Sequence, residues 1–431
     1  MFFHFIPTWL HFKTTSARLQ PVSKQNWFTM KPWMSPSLVA LFACACGASV
    51  ANVYFAQPLL DMIAADLSMS HSSIGGLITA TQCGSALALL FLVPLGDRMD
   101  RRKLMLLQLI ALTVSLLCVC LTTQAFLVLL AMLAVGMLGT AMTQGLISYA
   151  AAASEPSERG RVVGAAQGGV VIGLLLARVV AGSIADMTGW RSVYAVSAIT
   201  MIVMGCMLWC FLPGLPVSSN PPSYGGLIKS MFHLLGKNRV LQIRGLIALM
   251  MFMTFSIFWT ALVFPLSTAP YEFSHATIGA FGLIGVIGVI GAARAGRWFD
   301  RGAGQLATFG ALALLAFSWL PLSYTSVSIW ALVAGILLLD LAVQALQVTN
   351  QSMVLQACPE LHSRLIACYM LFYAVGSGTG AIAATKIYDV AGWAGVCSLG
   401  VTVSLFALAF WATTLRHMPG SCAKTVVCRS L

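Results

Sequence analysis

Charge is scarce in this chain. Only 8% of its 431 residues are Asp, Glu, Lys or Arg, and only 12 are acidic. A soluble domain carries about 25% charged residues, so a water-facing surface over this length is excluded. Signatures of catalysis are missing as well. There is no Gly-x-x-x-x-Gly-Lys phosphate loop and no pair of carboxylates on one expected helix. Neither an enzyme nor ATP-driven work by this chain alone is expected. Cysteine is present but forms no framework: Cys44, Cys46, Cys118, Cys120, Cys206 and Cys210 sit within apolar runs, where a thiol packs as a small hydrophobe. No Cys/His cluster has zinc spacing, so no metal, cofactor or structural disulfide is expected.

What is abundant is apolar: 59% of residues are hydrophobic and the mean hydropathy is +0.89. Runs of about 20 apolar residues recur, each enough to cross roughly 30 Å of hydrocarbon. The chain reads as an all-α integral membrane protein, because lipid offers no partner to free backbone groups. Twelve spans are placed near 37–60, 73–95, 104–124, 126–151, 162–185, 191–213, 243–268, 277–296, 305–324, 327–352, 365–387 and 393–415. They divide the chain into an N-terminal extension (1–36), a six-helix half (37–213), a cytoplasmic linker (214–242), a second six-helix half (243–415) and a tail (416–431). The extension has apolar Phe2, Phe3, Phe5, Trp9 and Phe12, but Pro7 interrupts them and no long apolar core follows, so it is not a secretory signal. It lies on the membrane surface, or translation starts at Met30 or Met34, which is the simpler reading. In the linker, Ser218-Ser219-Asn220-Pro221-Pro222-Ser223 breaks regular structure. A surface helix is expected from Ile228 to Leu241.

The net charge of +12 is not a nucleic-acid footprint. With the N-terminus inside, the basic residues flank the spans on the cytoplasmic side, at Lys13, Lys31, Arg98 to Lys103, Arg159, Arg161, Lys229, Lys237, Arg239, Arg297, Arg301, Arg364 and Arg416. Only Arg191 and Lys386 fall in expected external loops. This asymmetry follows the positive-inside rule and places both termini in the cytoplasm.

The densest charge block is Pro94-Leu95-Gly96-Asp97-Arg98-Met99-Asp100-Arg101-Arg102-Lys103, and it has an echo at Gly296-Arg297-Trp298-Phe299-Asp300-Arg301. The offset is 300 − 97 = 203 residues, and it also relates Pro156 to Pro359, Arg161 to Arg364, Gly173 to Gly376, Gln144 to Gln347, and Asp186, Gly189 and Trp190 to Asp389, Gly392 and Trp393. One register over most of the chain indicates a duplicated half.

The block resembles the signature loop between the second and third helices of the major facilitator superfamily, Gly-x-x-x-Asp-Arg-x-Gly-Arg-Arg, which recurs weakened between the eighth and ninth. Val93 and Asp100 stand where that loop has glycines, and the second copy lacks the basic pair. The resemblance spans roughly residues 37–415. The run Ala51-Asn52-Val53-Tyr54-Phe55-Ala56-Gln57-Pro58 and the turn Gly189-Trp190-Arg191 resemble bacterial efflux-type, drug/proton antiporter-like members. The resemblance implies two parallel six-helix repeats around a central cavity, lined by the first, fourth, seventh and tenth spans. It also implies a conformational latch of Gly96, Asp97, Arg98, Arg101 and Arg102, repeated at Gly296, Asp300 and Arg301. The alternative is that the basic residues only set topology.

Polar residues inside spans are the remaining candidates. Asp340, Gln344, Gln347 and Gln351 recur at steps of 4, 3 and 4, which puts them on one helical stripe. Thr140, Gln144 and Ser148 do the same in the fourth span; Asn52 and Gln57 add to the first, and Thr254, Trp259 and Thr260 to the seventh. Such stripes face a wet cavity or hydrogen-bond a neighbouring helix. The substrate cavity is expected at Asn52, Gln57, Gln144, Trp259, Gln344 and Gln347. Asp340, the only acid well inside a span, is the candidate for proton coupling; the alternative is a protonated carboxyl that bonds a neighbouring helix.

The fifth span carries Gly168-Gly169, Gly173 and Gly182, small residues that admit close helix packing, and the intramembrane charge Arg178. Drug–proton antiporters have a Gly-Pro and a glycine pair there, where this chain has Leu174 and Ala177-Arg178. The arginine that many relatives carry in the fourth span is also missing near Val135 and Gly136. Arg178 faces the protein interior or snorkels outward. The expected function is alternating-access transport in the inner membrane of a bacterium, as proton-coupled export of a small organic molecule by a monomer. Uptake by symport, facilitated diffusion of a neutral solute, and a non-transporting membrane sensor are the alternatives.

Overall fold

The computed structural model describes residues 35–155, 157–212, 223–288, 301–357 and 362–415. The extension up to residue 34, the linker segment 213–222, Gly296, Asp300 and the tail from 416 lie outside the described residues. Among the described residues every regular element is a helix, and ten helices are long and apolar enough to cross a membrane.

The first half begins with α1 (Pro36–Tyr54), capped by Ser35, which accepts from the Leu38 N–H. A 3₁₀ turn (Gln57–Leu59) and α2 (Leu60–Asp66) extend it, and α3 (His71–Leu87) returns. Beyond α3 the ladder changes, with a π turn over Ala88–Leu92 and a 3₁₀ turn over Val93–Asp97. Pro94 is the cause: it has no N–H to donate, and its ring displaces the carbonyl a turn earlier. Asp100 then caps α4 (Arg101–Leu121) by accepting from Arg102 N and Lys103 N. The half closes with α5 (Ala125–Ala153), α6 (Arg159–Thr188) and α7 (Trp190–Phe211).

The surface pattern of α4 shows why the medium is lipid. Leu107, Ile110, Val114, Leu117 and Leu121 form an exposed apolar stripe, while Met105, Leu109, Leu112, Leu116 and Val119 form a buried one on the opposite face. In water the first stripe would be an association surface; in a bilayer it is the face toward the acyl chains.

A short amphipathic helix, α8 (Tyr224–Lys237), carries the chain into the second half. It buries Leu227, Met231 and Leu234, and it ends at Asn238, which caps α9 (Arg239–Ala261) through the Leu241 N–H. The helix expected at Ile228–Leu241 thus starts earlier and stops earlier. The second half continues through α10 (Val263–Leu266), α11 (His275–Ala280) with a 3₁₀ stretch over Phe281–Ile287, α12 (Gly304–Phe317), α13 (Trp319–Ser323), α14 (Ile329–Ala357) and α15 (His362–Thr414).

α15 runs for 53 residues but is broken at Gly392, with φ 59° and ψ −155°. Its counterpart at 392 − 203 = 189 is Gly189, which ends α6 with φ 87°. Both turns need a left-handed φ that a side chain would strain. The tryptophans after them also occupy matching roles: the Trp190 indole donates to Asp66 and the Trp393 indole to the Leu322 carbonyl.

The halves are joined through α3 against α15 and α6 against α11. The Thr79 hydroxyl donates to the Gly378 carbonyl at 2.7 Å, and the hydroxyls of Tyr54 and Tyr373 meet at 2.5 Å. Glycines allow the closest approaches within each half. A methyl group on Gly173 would lie 2.3 Å from the Gly47 carbonyl oxygen, and one on Gly376 would lie 2.1 Å from that of Leu249.

Candidate functional site

Arg178 is the centre of the buried polar cluster. It is only 2% exposed, in the middle of α6. Its Nε and Nη2 donate to Gln57 Oε1 at 3.1 and 2.9 Å. The guanidinium carbon lies 4.1 Å from the Trp259 ring centroid and 5.7 Å from that of Tyr54. A desolvated cation over an indole gains about 2 kcal/mol, which offsets part of the cost of burying the charge. Trp259 comes from α9, so this stack ties the first half to the second. A small pocket beside it is lined by Gln57, Arg178, Trp259, Leu262 and Ile278.

Asp340, in α14, is 5% exposed. Arg178 is the cation that acts on it from the opposite half. The Trp259 indole N–H makes no hydrogen bond of ordinary length; the carboxyl it addresses at longer range is that of Asp340. Arg178 and Asp340, from opposite halves, thus border the same stretch of the second half at Gly282 and Gly285.

Glycines make the space for both. A methyl group at Gly279 would lie 2.2 Å from the Arg178 carbonyl oxygen, and at Gly282 3.3 Å from Arg178 Cδ. At Gly285 it would lie 2.8 Å from Asp340 Oδ2, and at Gly288 3.0 Å from Gln344 Cγ. Four glycines three residues apart suit the 3₁₀ stretch over Phe281–Ile287, because side chains at i and i+3 eclipse there. This period is visible in the sequence as Gly279, Gly282, Gly285 and Gly288.

The other expected cavity residues are placed as follows. Asn52 is fully buried; its amide donates to the Ala48 carbonyl and accepts from the Ser197 hydroxyl of α7 at 2.5 Å. Gln347 accepts from the Tyr369 hydroxyl at 2.8 Å. Gln144 and Gln344 are partly buried. Thr140 donates to Ser85 of α3 at 2.8 Å.

In the charge block, Arg101 Nε donates to the Gly96 carbonyl at 3.0 Å, and its Nη1 reaches Ser148 of α5 at 3.2 Å. Arg102 lies over the Trp209 ring at 5.8 Å and donates to the carbonyl of the same residue. Arg98 and Arg301 are exposed. The Asp97 side chain, Gly296 and Asp300 lie outside the described residues.

Arg244 is a second buried arginine that the sequence did not single out. It is 0% exposed and donates to Thr308 Oγ1 at 2.9 Å, Gln305 Oε1 at 2.8 Å and Asn350 Oδ1 at 3.3 Å. It is the sixth residue of α9, about one and a half turns from its start.

Residues 39–360 match the family model described as Major Facilitator Superfamily. The chain belongs to this family. It is 40% identical to the uncharacterized transporter YgaY of Escherichia coli O157:H7 over 385 residues, covering 88% of this chain and 95% of that one. It is 29% identical to the probable transporter SCO4007 of Streptomyces coelicolor over 379 residues, covering 87% and 86% respectively. The fold is similar to that of a solved bacterial homologue of the human lysosomal transporter Spinster. The TM-score is 0.70 at 16% identity, with 89% of this chain and 98% of that one covered. The chain is thus a membrane transporter of the superfamily and not an enzyme.

Proposed function

We propose that this transporter exports a small organic molecule in exchange for protons, with Asp340 as the proton-carrying residue. Its buried carboxyl, faced by Arg178 from the other half, carries this reading. Ionised Asp340 attracts Arg178 and favours the arrangement that brings the halves together around it. A proton on Asp340 removes that attraction. Only such a difference in interaction between two states lets a bound proton shift their equilibrium. Gln344, one turn from Asp340, and Gln57, on the guanidinium, offer neutral amides to a substrate in the same place.

The architecture in this reading is two parallel six-helix repeats. The break at Gly392 divides α15 into two spans, and the apolar helix over His275–Ile287 begins another. The matched left-handed glycines, 203 residues apart, support the duplication. In this reading the Asp97 loop and both termini lie in the cytoplasm and the His275 end outside, in a bacterial inner membrane, which the distribution of basic flanks supports.

The test has two stages. The purified protein is screened by thermal shift against a broad solute panel, since a ligand of the folded state raises apparent stability. Each solute that binds is then followed in proteoliposomes under an imposed pH gradient. Extrusion driven by the gradient supports the reading; transport indifferent to the gradient refutes proton coupling.

A further inference from the structure

The His275 end holds a cluster that the central site does not use. His275, the first residue of α11, belongs to the second half and lies ahead of the apolar run that starts at Thr277. Its Nε2 is 3.0 and 3.1 Å from Asp61 Oδ1 and Oδ2, and its Nδ1 is 3.0 Å from Asp186 Oδ1. Asp61 sits in α2 and Asp186 in the last turn of α6, both in the first half. Asp186 also accepts from the backbone N–H groups of His275 and Ala276, at 3.1 and 2.8 Å. One carboxylate thereby caps the N-terminus of a helix in the opposite half.

The donor and acceptor count fixes the protonation that this geometry needs. Ionised carboxylates only accept, and a neutral imidazole donates from one nitrogen only. With one proton, the ring would turn a lone pair toward a carboxylate oxygen. With two, both contacts are hydrogen bonds and the cation offsets part of the charge of two acids. We propose that His275 is an external proton-binding site whose imidazolium clamps the two halves together at this end. The proposal rests on the preceding section only for which side of the membrane the cluster faces.

Among the described residues no other group competes at the site. Asp66, farther along α2, is held by Arg191 and Trp190. Arg178, on α6, is engaged on Gln57. Glu272, on the connection before His275, is exposed, and neither the 3₁₀ turn Gln57–Leu59 nor α10 carries a titratable residue. The hydrogen bond to Asp61 foremost, with Asp186 adding to it, holds the His275 proton affinity above that of an ordinary imidazole despite partial burial. The sign follows. The clamp is complete below the ordinary imidazole pKa of about 6.5, which applies once the ring is released. It is lost as pH rises through the raised value of the closed state. External acid thus closes the outer face, and alkali opens it.

The experiment uses the full-length protein in nanodiscs, without substrate or gradient. Keto amino acids at Met187 and Val327, both highly exposed, carry a donor and an acceptor dye. Met187 adjoins Asp186, and Val327 follows Thr325, whose carbonyl accepts from Tyr271 at this end. In wild type the distance is expected to be short at about pH 5 and to lengthen toward about pH 9, as the imidazole deprotonates. His275→Gln should remove the part of the response that follows the imidazole, and Asp61→Asn should move its midpoint to lower pH. A wild-type distance that ignores pH, or a wild-type response in His275→Gln, overturns the proposal. Should His275→Gln fail to fold, an unmoved midpoint in Asp61→Asn overturns it equally. Asp340→Asn removes the central titration, and the response left in that background should vanish when His275→Gln is added, so failure of proton coupling at the centre and failure of the clamp give different results.

Discussion

Arg178 and Trp259 come from opposite halves, and the guanidinium of the first lies over the indole of the second at 4.1 Å from the ring centroid. The same guanidinium is anchored by two hydrogen bonds to one oxygen of Gln57. Lysine keeps the charge but has neither the planar face nor the fork. Arg178→Lys is expected to cost about 1–2 kcal/mol of stability. A double-mutant cycle with Trp259→Leu, read by thermal unfolding in detergent, should return a coupling of the same order. Strict additivity of the two single changes would show that the stack holds nothing.

Asp340→Asn keeps shape and removes the titratable charge. It is expected to abolish gradient-driven extrusion while substrate binding and passive exchange stay measurable. Vesicles carrying this variant that still couple substrate movement to a pH gradient as wild type does would place the proton elsewhere.

Gly168 and Gly169 are neighbours in sequence with opposite expected tolerances. A methyl group on Gly168 meets nothing within 4 Å, whereas one on Gly169 would lie 2.0 Å from the Ala43 carbonyl oxygen. Gly168→Ala should leave stability unchanged or raise it by up to about 1 kcal/mol, through helix propensity. Gly169→Ala must push α6 away from α1 and should lower both the melting temperature and the yield of folded protein. Equal effects from the two would contradict the packing of α1 on α6.

Asp97→Asn addresses the latch at the other end. Arg101 already ties this loop to α5 through Ser148, so the fold does not depend on the carboxylate alone. Slower transport with near-normal expression is expected, because an equilibrium is shifted and no core is lost. Unchanged kinetics would reduce the loop to a topology signal.

Legibility in the sequence followed the range of the interaction. The Asp97 block, the Asp340 stripe and the Gly189/Gly392 correspondence are local patterns or one fixed offset, and each could be read from the chain. The helix after the linker was legible in kind but not in extent, since Asn238 both ends α8 and caps α9. The contacts that make the site were not legible. Arg178 meets Gln57 across 121 residues and His275 meets Asp61 across 214, with no spacing to announce either. Arg244 was hidden for a different reason: a cation near a helix end looks the same whether it meets water or three neutral side chains.

The glycine row of α11 and its 3₁₀ continuation has a mechanical consequence. Its upper part rests on α6 of the other half and its lower part on α14 of its own. Interlocked side chains behave like gear teeth, since each step of one helix past another forces rotamers to disengage and reseat. A bare ridge has no teeth. A helix sliding along such a ridge would meet no interlocking side chain from the ridge itself, as on a plain bearing. Any added side chain on that row acts as a brake, most strongly where the row passes between Arg178 and Asp340.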